Sequence, residues 1–64
     1  MDVLQNSRIL KMRIRMRNND IYIRHIRMTA IKEKRALTED EYWTIDYHEN
    51  ENRRMDIYIR AGIA

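Results

Sequence analysis

Three side chains in one short segment are of the types that perform general acid–base catalysis. Asp46, His48 and Glu49 lie close together in the sequence, and in an extended strand Asp46 and His48 share a face because side chains alternate with a period of two. The ordinary alternative is a solvated polar face that pairs with arginines on a neighbouring strand. No glycine-rich phosphate loop accompanies them, since Gly62 is the one glycine of the chain. We therefore predict that the protein is not an enzyme.

The main functional candidates are cations that repeat at every second position from Lys11 to Arg17. A strand would place them on one face, about 6.6–6.8 Å apart, which is comparable to the spacing of phosphates along a nucleic-acid strand. Tyrosines on the same face would offer flat rings for base stacking. The predicted anion-binding residues are Lys11, Arg13, Arg15, Arg17, Tyr22, Arg24, Tyr58 and Arg60.

The charge of the chain is unevenly divided between its two parts. From Met1 to Leu37 there are 10 Lys and Arg against 3 Asp and Glu, giving +7, and from Thr38 to Ala64 there are 3 against 7, giving −4. This asymmetry indicates either a basic surface for an anionic partner or complementary parts that pair within or between subunits. Alternating arginines are also a way to keep the outer face of a sheet in water.

The segment DIYIR occurs twice, at Asp20–Arg24 and Asp56–Arg60. Each copy follows an Asn-rich stretch, Asn18–Asp20 or Glu49–Asn52, whose residue types favour turns. The alternation of apolar and polar residues on both sides of each stretch is typical of half-buried strands. Each copy is therefore interpreted as the return strand of a β-hairpin. In the first copy, either a β-bulge near Arg24 and His25 restores the apolar face or both faces of the strand are covered there.

The predicted fold is mainly β, a four-stranded antiparallel sheet of two β-hairpins joined by a short helical linker in one small domain, residues 1–64. The basic hairpin covers residues 8–28, the linker 29–42 and the second hairpin 43–63. Thr38 and Glu41 match a capping box, with Thr38 as N-cap and Glu41 reaching back to it. They predict one or two helical turns around Glu39–Tyr42.

The predicted function is non-catalytic binding of an anionic partner, nucleic acid above all, with little sequence specificity. The alternative is a small inhibitor or adaptor that docks on a larger protein, for which Tyr42 and Trp43 beside acidic residues are the possible interface. A further alternative is an oligomer that sequesters an anionic nucleotide.

Composition limits what can stabilise so short a chain. A chain of about 60 residues buries only about 60% of the surface of its unfolded form, and this one has no cysteine for disulfides or thiolate metal sites. We expect no metal and no cofactor, and we expect a homo-oligomer because association is the remaining stabiliser. No apolar run has the length of a membrane span or a signal peptide. A cytoplasmic protein without a membrane partner is therefore expected.

Overall fold

The chain forms two antiparallel α-helices joined by a short loop. The computed structural model describes residues 3–62, with side chains from residue 6 onward; α1 spans Val3–Lys32 and α2 spans Glu39–Ala61. The two helices make a rod whose Cα atoms extend over 49 × 15 × 14 Å. The described residues contain no strand. Neither helix has a stretch long and apolar enough to cross a membrane within this part of the chain.

The helices meet along one stripe of side chains on each, here called the interhelical seam. Its buried and half-buried positions recur at alternating steps of three and four residues on both helices. Such a pattern repeats every seven residues and keeps one face of each helix against its partner, as in a coiled coil. The seam residues are Ile9, Met12, Met16, Asn19, Ile23, Ile26 and Ala30 of α1, and Glu41, Ile45, His48, Asn52, Met55 and Ile59 of α2.

Apolar burial is concentrated at the loop end of the rod. Ile23, Ile26 and Ile45 form one buried cluster, and Leu37 from the loop packs against it. At about 25 cal/mol per Å² of apolar surface removed from water, burial of each such side chain contributes roughly 1.5–3 kcal/mol. This cluster holds the two helices together next to the loop that joins them.

The predicted four-stranded sheet of two β-hairpins is wrong, because the alternation in Arg8–Arg17 comes from two overlapping helical stripes. Met12 and Met16 are four residues apart and lie in the seam, whereas Ile14 between them is 52% exposed on the opposite side of α1. A helix with apolar residues on two faces can imitate period-two alternation over a short window. A β-sheet would have placed all three side chains on one face.

The polar stretches that predicted turns lie inside the helices. Asn19 is buried in the seam, where its side-chain amide donates to Asn52 Oδ1 and to Glu51 Oε1, both at 2.9 Å. Asn52 in turn donates to Asp20 Oδ1 at 2.9 Å and to the Met16 carbonyl at 3.3 Å. The turn and bulge predictions are therefore wrong: these amides form a polar layer between helices, a feature that in coiled coils fixes register.

The two DIYIR copies have the same place in the helical pattern, and neither is a strand. Ile23 and Ile59, the second isoleucine of each copy, lie in the seam, while Ile21 and Ile57, the first, are 58% and 54% exposed on the outer side. Each helix therefore uses its copy at the same register against the other helix.

The capping box predicted for Thr38 and Glu41 is confirmed. The Glu41 amide donates to Thr38 Oγ1 at 3.2 Å, and the Thr38 amide donates to Glu41 Oε1 at 2.9 Å. The helix that it starts does not stop near Tyr42, however, and continues to Ala61, where Gly62 ends it in the left-handed conformation at φ 70°. The strands predicted after Tyr42 are thus helical.

The end of α1 has a Schellman motif without a glycine. The Arg35 amide donates to the Ala30 carbonyl and the Lys34 amide to the Ile31 carbonyl, both at 3.0 Å. Lys34 occupies the left-handed position of this motif with φ 55°. The chain is thereby reversed into the loop that leads to Thr38.

Candidate anion-binding face

The side of α1 that points away from α2, here called the outer face, carries four exposed cations: Lys11, Arg17, Arg24 and Lys32. None of them forms an ion pair with another residue in the described range 3–62. Arg17 and Arg24 lie two helical turns apart, about 10.5 Å along the axis, and Lys11 and Lys32 are about 32 Å apart. The four cations thus follow most of the length of one helix.

Two further cations border this face. Arg8 and Arg13 are exposed on opposite flanks of α1, between the outer face and the seam, and neither forms an ion pair in the part of the chain that the structure describes. From Val3 to Lys32 there are 8 Lys and Arg against 1 Asp, giving +7. From Glu39 to Ala61 there are 3 Arg against 7 Asp and Glu, giving −4. The charge asymmetry of the sequence is therefore an asymmetry between two helices.

Arg15 belongs to the predicted site but not to this face. Its guanidinium makes a two-point contact with Glu51 across the seam, Nε to Oε1 at 2.8 Å and Nη2 to Oε2 at 3.1 Å. These hydrogen bonds raise the pKa of Arg15, and together with the Asn19 amide they lower the pKa of Glu51 to about 2. A guanidinium held by a carboxylate has little left to offer a phosphate. Arg27 is likewise paired, with Glu49 at 2.9 Å.

The remaining predicted site residues are spread around the rod. Tyr22 lies on the flank of α1 with its ring edge-on to His48, at 5.1 Å between ring centroids. Tyr58 and Arg60 belong to α2, where Arg60 is paired with Asp56 at 3.0 Å. The structure thus brings Lys11, Arg17 and Arg24 onto one face, leaves Arg13 at its border, and places the predicted tyrosines elsewhere.

Large apolar side chains occupy the outer face between its cations. They repeat at steps of three, four and seven residues, as a second seam would, but Arg17 and Arg24 interrupt the row. All of them are more than half exposed. The row consists of Leu10, Ile14, Ile21, Met28 and Ile31.

A second exposed surface lies on the first turns of α2. Trp43 is 66% exposed, and Tyr42 and Tyr47 are exposed beside it. The residues three and four positions before and after Trp43 are Glu39, Asp40, Asp46 and Tyr47, and such residues are neighbours on a helix. We call Tyr42, Trp43, Tyr47, Glu39, Asp40 and Asp46 the aromatic–acidic patch.

The acid–base cluster that the sequence suggested for Asp46, His48 and Glu49 does not form. Asp46 lies on the outer side of α2 and accepts a hydrogen bond from Asn50, whereas His48 faces the seam between the rings of Tyr22 and Tyr47. Two residues that would share a face in a strand point in nearly opposite directions in a helix. The Nδ1 atom of His48 is buried and has no hydrogen-bond partner in the described residues.

The sequence did not predict the ion pairs of the loop cation Arg35, because its partners are brought together only when the hairpin forms. It donates to Glu33 and, at 2.7 Å from Nη1, to Glu41 Oε1. The hydrogen bonds that Glu41 accepts from Arg35 and from the Thr38 amide lower the pKa of Glu41 to about 2. Arg35 therefore ties the end of α1 to the first turn of α2.

No group of three potential metal ligands comes together among the described residues. Comparison with known proteins gives no relative: no family model, no curated protein and no solved structure matches the chain. Proposals about its function therefore depend on its own surfaces.

Proposed function

We propose that the protein is a non-catalytic nucleic-acid-binding protein whose outer α1 face contacts the phosphate backbone. The observation that carries the proposal is the row of cations Lys11, Arg17, Arg24 and Lys32 along a helix of net charge +7; none of the four has an ion-pair partner among the described residues. Neutralisation of phosphates by Lys and Arg, with release of counterions, supplies most of the free energy of sequence-independent binding. Binding with little sequence specificity is the expected result.

A duplex is the expected form of the nucleic acid. The tyrosines that would have stacked on unpaired bases lie away from the cations, with Tyr22 against His48 and Tyr58 on α2. Duplex DNA has about one charge per 1.7 Å of its axis, a higher density than a single strand has. A helix that displays cations along most of its length matches a stiff, densely charged polymer better than a flexible one.

The residue pattern of the outer face favours a nucleic acid over an anionic membrane as the partner. A helix that lies in a membrane interface keeps its charges off the apolar face that enters the lipid. Here Arg17 and Arg24 lie within the row of Ile14, Ile21 and Met28, so no uninterrupted apolar face is offered. This arrangement favours contact with phosphate groups at the surface of the protein over insertion into lipid. A cytoplasmic location is proposed on the same grounds.

The test is a fluorescence-polarisation titration of labelled duplex and single-stranded oligonucleotides at several salt concentrations. We expect affinity to fall with salt and Arg17→Gln/Arg24→Gln to reduce the slope of log affinity against log salt by about 1.8, at about 0.9 per phosphate contact. The matched control is Arg53→Gln/Arg54→Gln, which removes the same charge from α2.

Three results would reject the proposal. One is the absence of binding at low salt, and another is an equal loss in both double variants, which would indicate an effect of net charge alone. The third is tighter binding to phosphatidylserine vesicles than to duplex, with Ile14→Ser/Ile21→Ser abolishing vesicle binding, because that result assigns the face to lipid.

A further inference from the structure

The aromatic–acidic patch of α2 is exposed and electrostatically unsatisfied. Glu39 and Asp40 form no ion pair in the described residues, and the side chain of Asp46 accepts only from the neutral amide of Asn50, at 3.3 Å. The positive end of the helix dipole accounts for acidic residues in the first turn, such as Glu39 and Asp40. It does not account for Asp46, which lies beyond that turn, or for the exposed ring of Trp43.

The outer face of α1 carries charges of the opposite sign beside an exposed apolar residue. On α2, Trp43 lies between Asp40 and Asp46, whose positions are about 9 Å apart along the axis. On α1, the exposed Ile21 lies between Arg17 and Arg24, about 10.5 Å apart. Arg17, Ile21 and Arg24 line one shallow hollow together with Asp20, and Trp43 and Asp46 line another with Tyr42.

We infer that the aromatic–acidic patch of one copy docks on the outer α1 face of a second copy. Trp43 then lies against Ile21, and the carboxylates of Asp40 and Asp46 lie beside the guanidiniums of Arg17 and Arg24. Both patterns are left unsatisfied within one hairpin, because the cross-helix ion pairs involve only Arg15 with Glu51 and Arg27 with Glu49 among the described residues of the two helices. A second copy satisfies both.

The form of the assembly follows from the placement of the two faces. They lie on opposite sides of the rod, so two copies cannot use both contacts at once. Each copy presents one face to the copy before it and the other to the copy after it, which is a heterologous contact that extends or closes into a ring. Average mass therefore rises with protein concentration rather than stopping at a dimer.

Self-association regulates nucleic-acid binding, since both use Arg17 and Arg24. This part of the inference rests on the proposed function. A duplex displaces the patch of the neighbouring copy, and Trp43, which is the one tryptophan of the chain, becomes exposed as a result. Free protein at low concentration is the form with its cations available.

Sedimentation velocity and Trp43 fluorescence test the docking on wild-type protein. The weight-average mass is expected to rise with concentration at low salt and to fall in high salt, because the contact is partly ionic. Over the same range the emission of Trp43 shifts to the blue and acrylamide quenching decreases. A mass that stays at one value over the whole range, or a Trp43 that stays equally quenched while mass rises, overturns the inference.

Charge-reversal variants identify the two faces. Asp40→Lys/Asp46→Lys and Arg17→Glu/Arg24→Glu are each expected to lose self-association while keeping the helical circular dichroism of the wild type. An equimolar mixture regains it, because the reversed patch of one variant matches the reversed α1 face of the other. Association that persists in both variants, or a mixture that stays unassociated, contradicts the proposed contact.

The same variants separate this inference from the proposed function. Asp40→Lys/Asp46→Lys leaves the outer α1 face intact and is expected to bind duplex at least as tightly as the wild type. Failure of this variant and of the wild type to bind duplex rejects the function alone, since the sedimentation results stand without it. Unchanged association in both variants rejects the docking alone.

Discussion

The side-chain amide of Asn19 donates to Oδ1 of Asn52 at 2.9 Å, across the middle of an otherwise largely apolar seam. Asn19 is 7% exposed, so its hydrogen bonds cannot be replaced by water without opening the helices. The same amide reaches Glu51, whose other partner is Arg15. This polar layer fixes which turn of α1 lies opposite which turn of α2.

Removal of one partner from the polar layer should therefore cost more than removal of both. We expect Asn19→Ala to lower the free energy of unfolding by about 1–3 kcal/mol, because Oδ1 of the half-buried Asn52 loses its donor. Asn19→Leu/Asn52→Leu should be more stable than Asn19→Ala, since apolar groups then fill both positions. Urea unfolding followed by circular dichroism gives the order, and a single variant as stable as the wild type would show that the layer contributes nothing.

The two isoleucines of the first DIYIR copy provide a test of the fold itself. Ile23 is 6% exposed in the seam, whereas Ile21 is 58% exposed. Ile23→Ala should lower the free energy of unfolding by about 2–4 kcal/mol through lost burial and a cavity, and Ile21→Ala by less than about 1 kcal/mol. Comparable losses in the two variants would instead fit a strand, in which both side chains share a face.

The N-terminal cap of α2 should contribute measurably to stability. Thr38→Ala removes the oxygen that accepts from the Glu41 amide and is expected to lower the free energy of unfolding by about 1 kcal/mol. Thr44→Ala is the matched control, because the Thr44 hydroxyl only donates to the Asp40 carbonyl within the helix and alanine is the better helix former. Equal losses for the two threonines would contradict the role of the cap.

Lys34 is a site at which glycine should stabilise the protein. A non-glycine residue at φ 55° costs about 1 kcal/mol through the clash of Cβ with the backbone. Lys34→Gly should therefore raise the midpoint of thermal unfolding, whereas Lys34→Ala, which keeps Cβ, should not. A lower midpoint for the glycine variant would mean that its greater freedom in the unfolded chain dominates.

Acid should weaken the hairpin through two carboxyl groups. The pKa values of Glu41 and Glu51 are lowered from 4.5 to about 2 by their hydrogen bonds to Arg35 and Arg15, respectively. A carboxyl whose pKa is lower in the folded state stabilises that state above the unfolded value, and this contribution disappears as the pH falls from about 4.5 to about 2. Urea midpoints measured across this range should fall, and they should fall less in Glu41→Gln/Glu51→Gln. An equally steep fall in that variant would assign the acid sensitivity to other groups.

Local signals in the sequence were sufficient to predict the capping box of Thr38 and Glu41, because a capping box depends only on residues within one turn. They were misleading for Met12, Ile14 and Met16, whose alternation satisfies a strand and a two-faced helix equally over a short window. The signal that distinguishes a helix from a strand extends over a longer stretch of the sequence. The step of three and four residues continues from Ile9 to Ala30 without a glycine or a proline.

The candidate anion-binding face could be predicted only in part from the sequence. Lys11, Arg17 and Arg24 were identifiable by charge, but charge alone does not show which cations are already paired. Arg15 and Arg27 are neutralised by Glu51 and Glu49, residues of the other helix that come close only when the hairpin forms.

The Asn19–Asn52 layer also divides the rod into two parts of unequal resistance to opening. On the loop side lies the cluster of Ile23, Ile26 and Ile45, whereas on the far side Met55 is the one buried apolar residue among the described side chains. Local opening free energies follow the density of buried contacts. Amide hydrogens near the free ends should therefore exchange first and those beside the loop last. The helices thus separate from their free ends, while the loop end stays closed and acts as the hinge.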